Sequence, residues 1–511
     1  MLAHPASRIP TFSAAARSHL QIHRCMLHFT RKFSICRMTK LPLKPLITIV
    51  GATGTGKSDL AVAIARKFNG EIINGDAMQL YRGLPIITNK ITPEEAQGVP
   101  HHLLGCIGFE EETWTVGKFV GEALGVIDKI RSRGKLPILV GGTHYYTQSL
   151  LFQDALSDEP ALNLDENSET FPVLEEPTDV LLAKLKEVDP AMADRWHPNE
   201  RRKIQRSLEI YLRTGKPASQ LYSEQRLRRE GYLSEGDDTA AGDKSTLRFK
   251  TLVFWVHANK DVLQQRLNER VDKMIIKGLL SEVQELSSFA KRQHLETGIP
   301  LDLTRGIWVS IGYKEFLDYQ EAQSSDASRS EPEIEKLKIA AIEKTQAATR
   351  QYASRQIKWI RIKLLNALFN AGEKRHTFLL DGSDLESWEA DVIAPATEVT
   401  EKFLAAGQVL PEPSSLSAAA AEMLTPKREY DLGQRPDLWQ KKICDTCGTV
   451  CITENAWTLH IKSRAHRRAV GMKKKLQNTQ EIGGKNGKAA AQADLIGILE
   501  DYLGTFSEEQ N

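Results

Sequence analysis

At 511 residues the chain exceeds what one ordinary hydrophobic core needs, so two or three structured regions joined by linkers are expected. Its 41% hydrophobic and 26% charged residues are those of a soluble globular protein, and a formal net charge of +2 means that an anionic partner must be met by local basic clusters. No uninterrupted apolar run reaches the roughly 18 residues of a bilayer-spanning helix, which argues against a membrane anchor, and six cysteines in so long a chain do not make the disulfide framework of a small secreted domain.

Residues 1–38 contain no Asp or Glu, repeat Ser and Ala, and carry Arg8, Arg17, Arg24, Arg31, Lys32 and Arg37. That is the composition of a mitochondrial transit segment, which must be basic and amphipathic to be drawn across a membrane by a potential negative inside. Met1, Met26 and Met38 are alternative starts. Translation from Met38 would leave the protein outside the organelle, so mitochondrion and cytoplasm, with the nucleus as a third candidate, are the expected compartments.

From Leu46 the pattern becomes strand, Gly-rich turn, helix, strand: LITIV, then GATGTGKS, then the helical periodicity of DLAVAIARKF, then EIIN. Further strands are read in LPILV at 136–140, running into Gly141 and Gly142, and in TLVFWV at 251–256, before a helix starting near Asp261. Strands alternating with helices predict an α/β fold with a parallel sheet of the P-loop NTPase type. Between residues 150 and 247 the strand signal stops. An acidic stretch at 154–177 and a polar one at 234–246 flank helical material at 180–229, which predicts a helical subdomain inserted at 154–246. The core is thereby split into 46–153 and 247–370, with helices dominating 260–370. Residues 371–430, Ser- and Ala-rich at 408–424, read as a connecting region and linker, 431–476 as a separate C-terminal module, and 477–511 as a tail.

Gly51-Ala52-Thr53-Gly54-Thr55-Gly56-Lys57-Ser58 fits the phosphate-loop pattern in the required place between strand and helix. Glycines let backbone N–H groups close around phosphate oxygens, the helix N-terminus adds positive potential, Lys57 neutralises charge and Ser58 can ligate Mg²⁺. Such a loop does not name a reaction, since kinases, NTPases and diphosphate-using transferases share it. The next segments narrow it. Ile73-Asn74-Gly75-Asp76-Ala77-Met78-Gln79-Leu80-Tyr81-Arg82-Gly83-Leu84 with Thr88-Asn89-Lys90 resembles the second signature of the tRNA dimethylallyltransferases (tRNA isopentenyltransferases). The resemblance continues in Val140 to Tyr146, in Val188-Asp189-Pro190 and His197 to Glu209, in Ile311-Gly312-Tyr313, and in Thr349 to Arg361. These blocks stand in family order across residues 46–365.

The resemblance implies that the loop holds the diphosphate of dimethylallyl diphosphate rather than ATP. Adenine N6, at position 37 of the anticodon stem-loop of a tRNA beside adenine 36, displaces that diphosphate. Asp76 matches the family's proposed general base, at a strand end where α/β proteins place ligands; without the family an Asp there is commonly a turn former. Thr143 has its counterpart at the reacting centre and could also cap the following helix. Met78 and Gln79 are placed at the base, and Ala77 departs from the family's usual Ser. Two basic segments, Arg201, Arg202, Lys203 and Arg206, then Arg350, Arg355, Lys358 and Arg361, are solvated helix faces by composition alone and tRNA backbone contacts by resemblance. A P-loop small-molecule kinase, an enzyme prenylating free adenine nucleotides, and an RNA-binding protein with an inert core are the competing readings. The protein is expected to act as a monomer.

Cys444-x2-Cys447-x12-His460-x5-His466 has the ligand number, type and spacing of a structural tetrahedral Cys₂His₂ zinc site, leaving Cys451 as a packed thiol. The x5 spacing resembles the matrin or U1-type finger, and Arg464, Arg467, Arg468 and Lys473 to Lys475 give it a basic flank suited to RNA, with a finger that mediates protein contacts as the competing reading.

Overall fold

Short runs rich in β-branched and other apolar residues form the central strands of a parallel sheet covered on both faces, as their lack of regular alternation requires. In this computed structural model, residues 45–111, 113–153, 171–224, 247–298, 301–324, 330–405, 407–426 and 439–482 are described. The targeting call on 1–38, the polar stretch 234–246 and most of the tail lie outside them. The strands are β1 (Pro45–Gly51), β2 (Gly70–Asn74), β3 (His101–His102), β4 (Leu136–Val140), β5 (Lys250–His257) and β6 (Thr377–Asp381). They are parallel throughout and ordered β3-β2-β4-β1-β5-β6.

Successive strand residues enter opposite layers. Leu46, Val50, Ile73, Leu139 and Trp255 join one core, and Ile47, Ile49, Ile72, Ile138 and Phe254 the other. Parallel register brings all carboxyl ends to one edge: Ile49 lies opposite both Val140 and Phe254, so Gly51, Gly75, Gly141 and His257 leave the sheet side by side. Around the sheet pack α1 (Lys57–Lys67), α2 (Val116–Ser132) and α3 (His144–Leu151).

The inserted subdomain contains α4 (Thr178–Val188), α5 (Pro190–Arg195) and α6 (Arg201–Thr214), closed around Leu181, Leu185, Met192, Ile204 and Leu208. Buried Asp189 ties it together: its carboxylate accepts from Met192 N at 3.2 Å, capping α5, and from Ser219 N at 2.8 Å. The chain returns through β5 into α7 (Lys260–Lys277), α8 (Leu279–Thr297) and the long α9 (Glu331–Trp359), which opens on a Ser330–Glu333 capping box. A π-helical turn at Ile360–Leu364 leads into α10 (Leu365–Asn370).

Residues 371–405 and 407–426, the described part of 371–430, correct the reading of this stretch as a connecting region and linker. They are more than a connection: Thr377–Asp381 supplies β6, the sixth strand, and α11 (Ala394–Leu404), after a second π-helical turn at Glu389–Ile393, buries Ala396, Val399 and Phe403 against the sheet. Five residues, TFLLD, are too short to show a period, and their pairing with β5 is decided by tertiary contact. The C-terminal module has an antiparallel pair, β7 (Trp439–Ile443) and β8 (Val450–Thr453), then α12 (Glu454–Ile461) and α13 (Arg464–Ile482). It touches the inserted subdomain. The Arg195 guanidinium lies 4.4 Å from the Trp196 ring and 4.5 Å from that of Trp439, and Lys441 Nζ donates to the Ala193 carbonyl at 3.3 Å.

Candidate active site

The loop after β1 is shaped by its glycines. Gly54 and Gly56 have φ of 79° and 87°, and a side chain at Gly51 would overlap the Val256 carbonyl, so these positions need residues without a β-carbon. Thr55 Oγ1 donates to Ala52 O at 2.9 Å, and Lys57 Nζ donates to the same carbonyl at 2.7 Å. Burial brings the Lys57 ammonium down to about 8, opposed by the Asp76 charge and assisted by that of Arg270. Ser58 is exposed on the first turn of α1.

Asp76 leaves the end of β2 beside this loop. Asn74 holds its backbone from both sides, accepting from Asp76 N and donating to Asp76 O, each at 3.0 Å. The carboxylate accepts from Met78 N at 2.9 Å and lies against Gly142, where any β-carbon would collide with it. Burial raises the Asp76 carboxyl above its ordinary value, although the Met78 amide, Lys57, the Gln79 amide and Arg270 all oppose the shift. A carboxylate held basic next to a phosphate-type loop is equipped to accept a proton.

Thr143 is the first residue before α3, yet its hydroxyl does not cap that helix. It accepts from Ala77 N at 3.0 Å, while Thr143 N donates to Gly75 O at 3.2 Å, so the β4 and β2 loops are laced together around Asp76. Ala77 keeps its place in this lacing through its backbone, for which a serine hydroxyl is unnecessary. The Gln79 side chain donates to Asn89 O at 2.9 Å, and Met78 sulfur lies 3.2 Å from Ser310 Oγ, so both sit on the same wall as Asp76.

Four further residues belong here and received no role from the sequence. Gln356 on α9 spans the cleft: its Oε1 accepts from Thr53 N at 2.8 Å and its Nε2 donates to Gly142 O at 2.7 Å, linking the phosphate loop to the loop that carries Thr143. Tyr352, one turn earlier, reaches Gly142 O at 3.4 Å, and burial first, then the Asp76 charge, keeps its phenol protonated. Arg270 on α7 is desolvated among Asp76 and Glu95, and its charge acts on both Asp76 and Lys57. His144, buried with a hydrogen bond to the Gly51 backbone, is pushed down to about 3 by desolvation and by Lys57, so it stays neutral. Only the i, i+4 spacing of Tyr352 and Gln356 hinted that one face of α9 is polar and inward.

The two basic segments lie on different helices, α6 and α9. On α6, Arg206 pairs with Glu209 at 2.8 Å, Lys203 with Glu200, and Arg202 donates to the Thr304 carbonyl, so much of that charge is already matched. On α9, Arg350 donates to Asn268 Oδ1, and with Arg355, Gln351, Ser354, Ala347 and Gln264 it lines an open groove between α7 and α9. Lys358 lies on the same helix, exposed. In the C-terminal module Cys444, Cys447, His460 and His466 converge with their ligand atoms within 4.8 Å of one another. Cys444 Sγ is 3.5 Å from His466 Nδ1, and Cys447 Sγ is 3.4 Å from His460 Nε2 and 3.9 Å from His466 Nδ1. Bonds of about 2.0–2.3 Å to a tetrahedral metal place ligands roughly 3.3–3.8 Å apart; two of these separations fall in that range and the third lies just above it. Cys451 is not one of the four converging residues and is buried.

A phosphate loop at the carboxyl edge of a parallel sheet, facing a desolvated acid across the β1–β4 crevice, defines a P-loop α/β enzyme built for a phosphorylated substrate. A family model described as IPP transferase matches residues 79–363, and one described as isopentenyl transferase matches 45–104. The chain belongs to the tRNA dimethylallyltransferase (IPP transferase) family. It is 39% identical to the tRNA dimethylallyltransferase of Schizosaccharomyces pombe over 86% of this chain and 98% of that one, and 32% identical to that of Homo sapiens over 85% and 87%. Among solved structures it is similar to a eukaryotic dimethylallyltransferase acting on tRNA, with a TM-score of 0.67, 32% identity, and coverage of 86% of this chain and 99% of that one. The Cys/His module and β6 both lie beyond the stretch that the IPP transferase model matches.

Proposed function

We propose that this protein transfers the dimethylallyl group of dimethylallyl diphosphate to N6 of adenine 37 in the anticodon loop of tRNA. The observation that carries the reading is the position of Asp76, desolvated and basic, within the electrostatic reach of Lys57 on the phosphate loop. In the reaction the N6–C1 bond forms as the C1–O bond to diphosphate breaks. Asp76 accepts the N6 proton, and the leaving diphosphate takes up the electron pair. Charge growing on the diphosphate is stabilised by the loop amides, Lys57 and Arg270. Ser58, on the first turn of α1, would ligate a Mg²⁺ ion that adds to this charge sink. Thr143 and Gln356 hold the two walls at a fixed separation, and Met78 and Gln79 offer an apolar contact and an amide to the base.

The Cys444, Cys447, His460 and His466 group is best suited to zinc, bound as a closed structural site. With its basic flank the module would add hold on the tRNA backbone, together with Arg202, Lys203, Arg206, Arg350, Arg355 and Lys358. The test supplies labelled dimethylallyl diphosphate and Mg²⁺ with either unmodified tRNA or AMP. Label in tRNA supports the reading. Label only in AMP would replace it with prenylation of free nucleotides, and transfer to neither would overturn it.

A further inference from the structure

The phosphate loop has two flanks. On one stand Asp76, Thr143 and Gln356, the side to which a transferred group must point. The other is made by the ends of β5 and β6. There Gly382 N donates to His257 O at 2.8 Å, Arg266 donates to the carbonyls of Gly382 and Ser383 at 2.7 and 2.8 Å, and Asn259 N donates to Ser383 Oγ at 2.8 Å. This fixed turn delivers Trp388, just ahead of the π-helical turn at Glu389–Ile393. The indole lies between Gly56 and Gly382, and a β-carbon on either glycine would run into its ring.

Gly56 is the loop residue that precedes Lys57 and begins α1. In a loop of this type the amides cradle the α- and β-phosphates while the lysine reaches the β- and γ-phosphates. A nucleoside di- or triphosphate bound there must lead its ribose and base away from Lys57, past the Gly56 end and over the neighbouring strand ends, since ligands of open α/β sheets lie along that edge. Trp388 stands in that path. A prenyl diphosphate has no such need: its diphosphate fills the loop and its short chain turns toward Asp76.

We propose that Trp388 is a specificity residue that fills the place of a nucleoside beside the phosphate loop, so that the loop accepts a prenyl diphosphate and rejects nucleotides. The proposal rests on the reading of residues 51–58 as a diphosphate site. Trp388 suits the task because a large, rigid side chain wedged between two glycines cannot move aside without exposing its apolar faces.

The test is calorimetric titration of the full chain with inorganic diphosphate and with ADP, each with Mg²⁺, for the wild type and for Trp388→Ala, Trp388→Leu and Trp388→Phe. The readout is the ratio of the two dissociation constants. It is expected to move toward ADP by about tenfold or more in the Ala variant, less in Leu, and least in Phe, which refills the space. A ratio unchanged in folded variants would overturn the proposal. So would a parallel weakening of both ligands, which is what a mere prop under the loop would give, or a wild type that binds ADP as tightly as diphosphate. If the Ala variant fails to fold, the Leu variant carries the same ratio. A wild type that binds neither ligand would instead remove the diphosphate reading on which the proposal stands.

Discussion

Strand β2 carries a buried acid at one end and a desolvated one just past the other, and the protein treats them in opposite ways. Glu71, at the amino end, lies within 2.9 Å of Lys135 Nζ and also pairs with Arg133 and with His102, the last at 2.6 Å. Burial alone would raise its carboxyl, but these hydrogen bonds bring it down to about 2. Asp76, at the carboxyl end, is desolvated with Lys57 and Arg270 acting only at longer range, and it stays raised. Five positions apart, one acid holds neighbouring side chains together and the other is kept basic, as the proposed proton acceptor would need to be. Paired charge serves stability, and desolvated, incompletely matched charge serves chemistry.

The largest effect that would break this comparison is at Asp76. Asp76→Asn removes the proposed base and should slow single-turnover prenyl transfer by roughly 10²- to 10⁴-fold. Thermal stability should hold or rise, because a raised pKa means that the ionised carboxylate disfavours the fold at neutral pH. A large loss of melting temperature with an unaltered rate would reverse the two roles. Glu71→Gln should do the opposite. It should cost about 1–2 kcal/mol in denaturant unfolding at pH 7, toward the lower end of a lost charge-assisted network because Arg133 and Lys135 can turn to solvent, and leave the rate unchanged. Since Glu71 is depressed on folding, its stabilisation is fully present above the unfolded carboxyl value near 4.3 and is lost as pH falls toward about 2. The Gln variant should therefore lose that part of the acid dependence.

A third arrangement, charge matched by a metal, extends the comparison. Chelation, or Cys444→Ser, should unfold the C-terminal module and raise the Michaelis constant for tRNA by around tenfold, with little change in the rate at saturating tRNA. An unchanged constant would remove the module from RNA binding. The smallest effect is in pH. The kcat/KM profile should rise on an acid limb above the ordinary Asp value, which Asp76→Asn abolishes. It should fall above about pH 8 as free-enzyme Lys57 loses its proton. Lys90, also brought down to about 8 by burial, is a second source for that limb, and its persistence in Lys90→Gln would assign it to Lys57.

How far the sequence could be read depended on how local each feature is. The phosphate loop and the Cys/His spacing were legible because the atoms concerned lie within a few turns of chain, and glycine and ligand positions leave few other uses. Arg202, Lys203 and Arg206 were legible as a basic patch but not as one whose charges are partly met by Glu200, Glu209 and the Thr304 carbonyl. The Thr143 hydroxyl could be read as a cap or as a site group, and only packing sends it to Ala77 N.

The amino-acid sequence by itself determined the class of fold, the family, the phosphate-loop pattern and the metal-binding spacing, because these are written in contiguous periodicity or in short fixed intervals. Tertiary structure alone decided that β6 completes the sheet, that Gln356 meets Thr53 across 303 positions, that the Arg270 charge acts on Asp76 and that Trp388 closes the far flank of the loop. Such contacts follow from burial and chain closure over long separations. No local propensity announces them, since a Gln on a helix or a Trp after a strand has the same local preference whether it faces solvent or a phosphate loop.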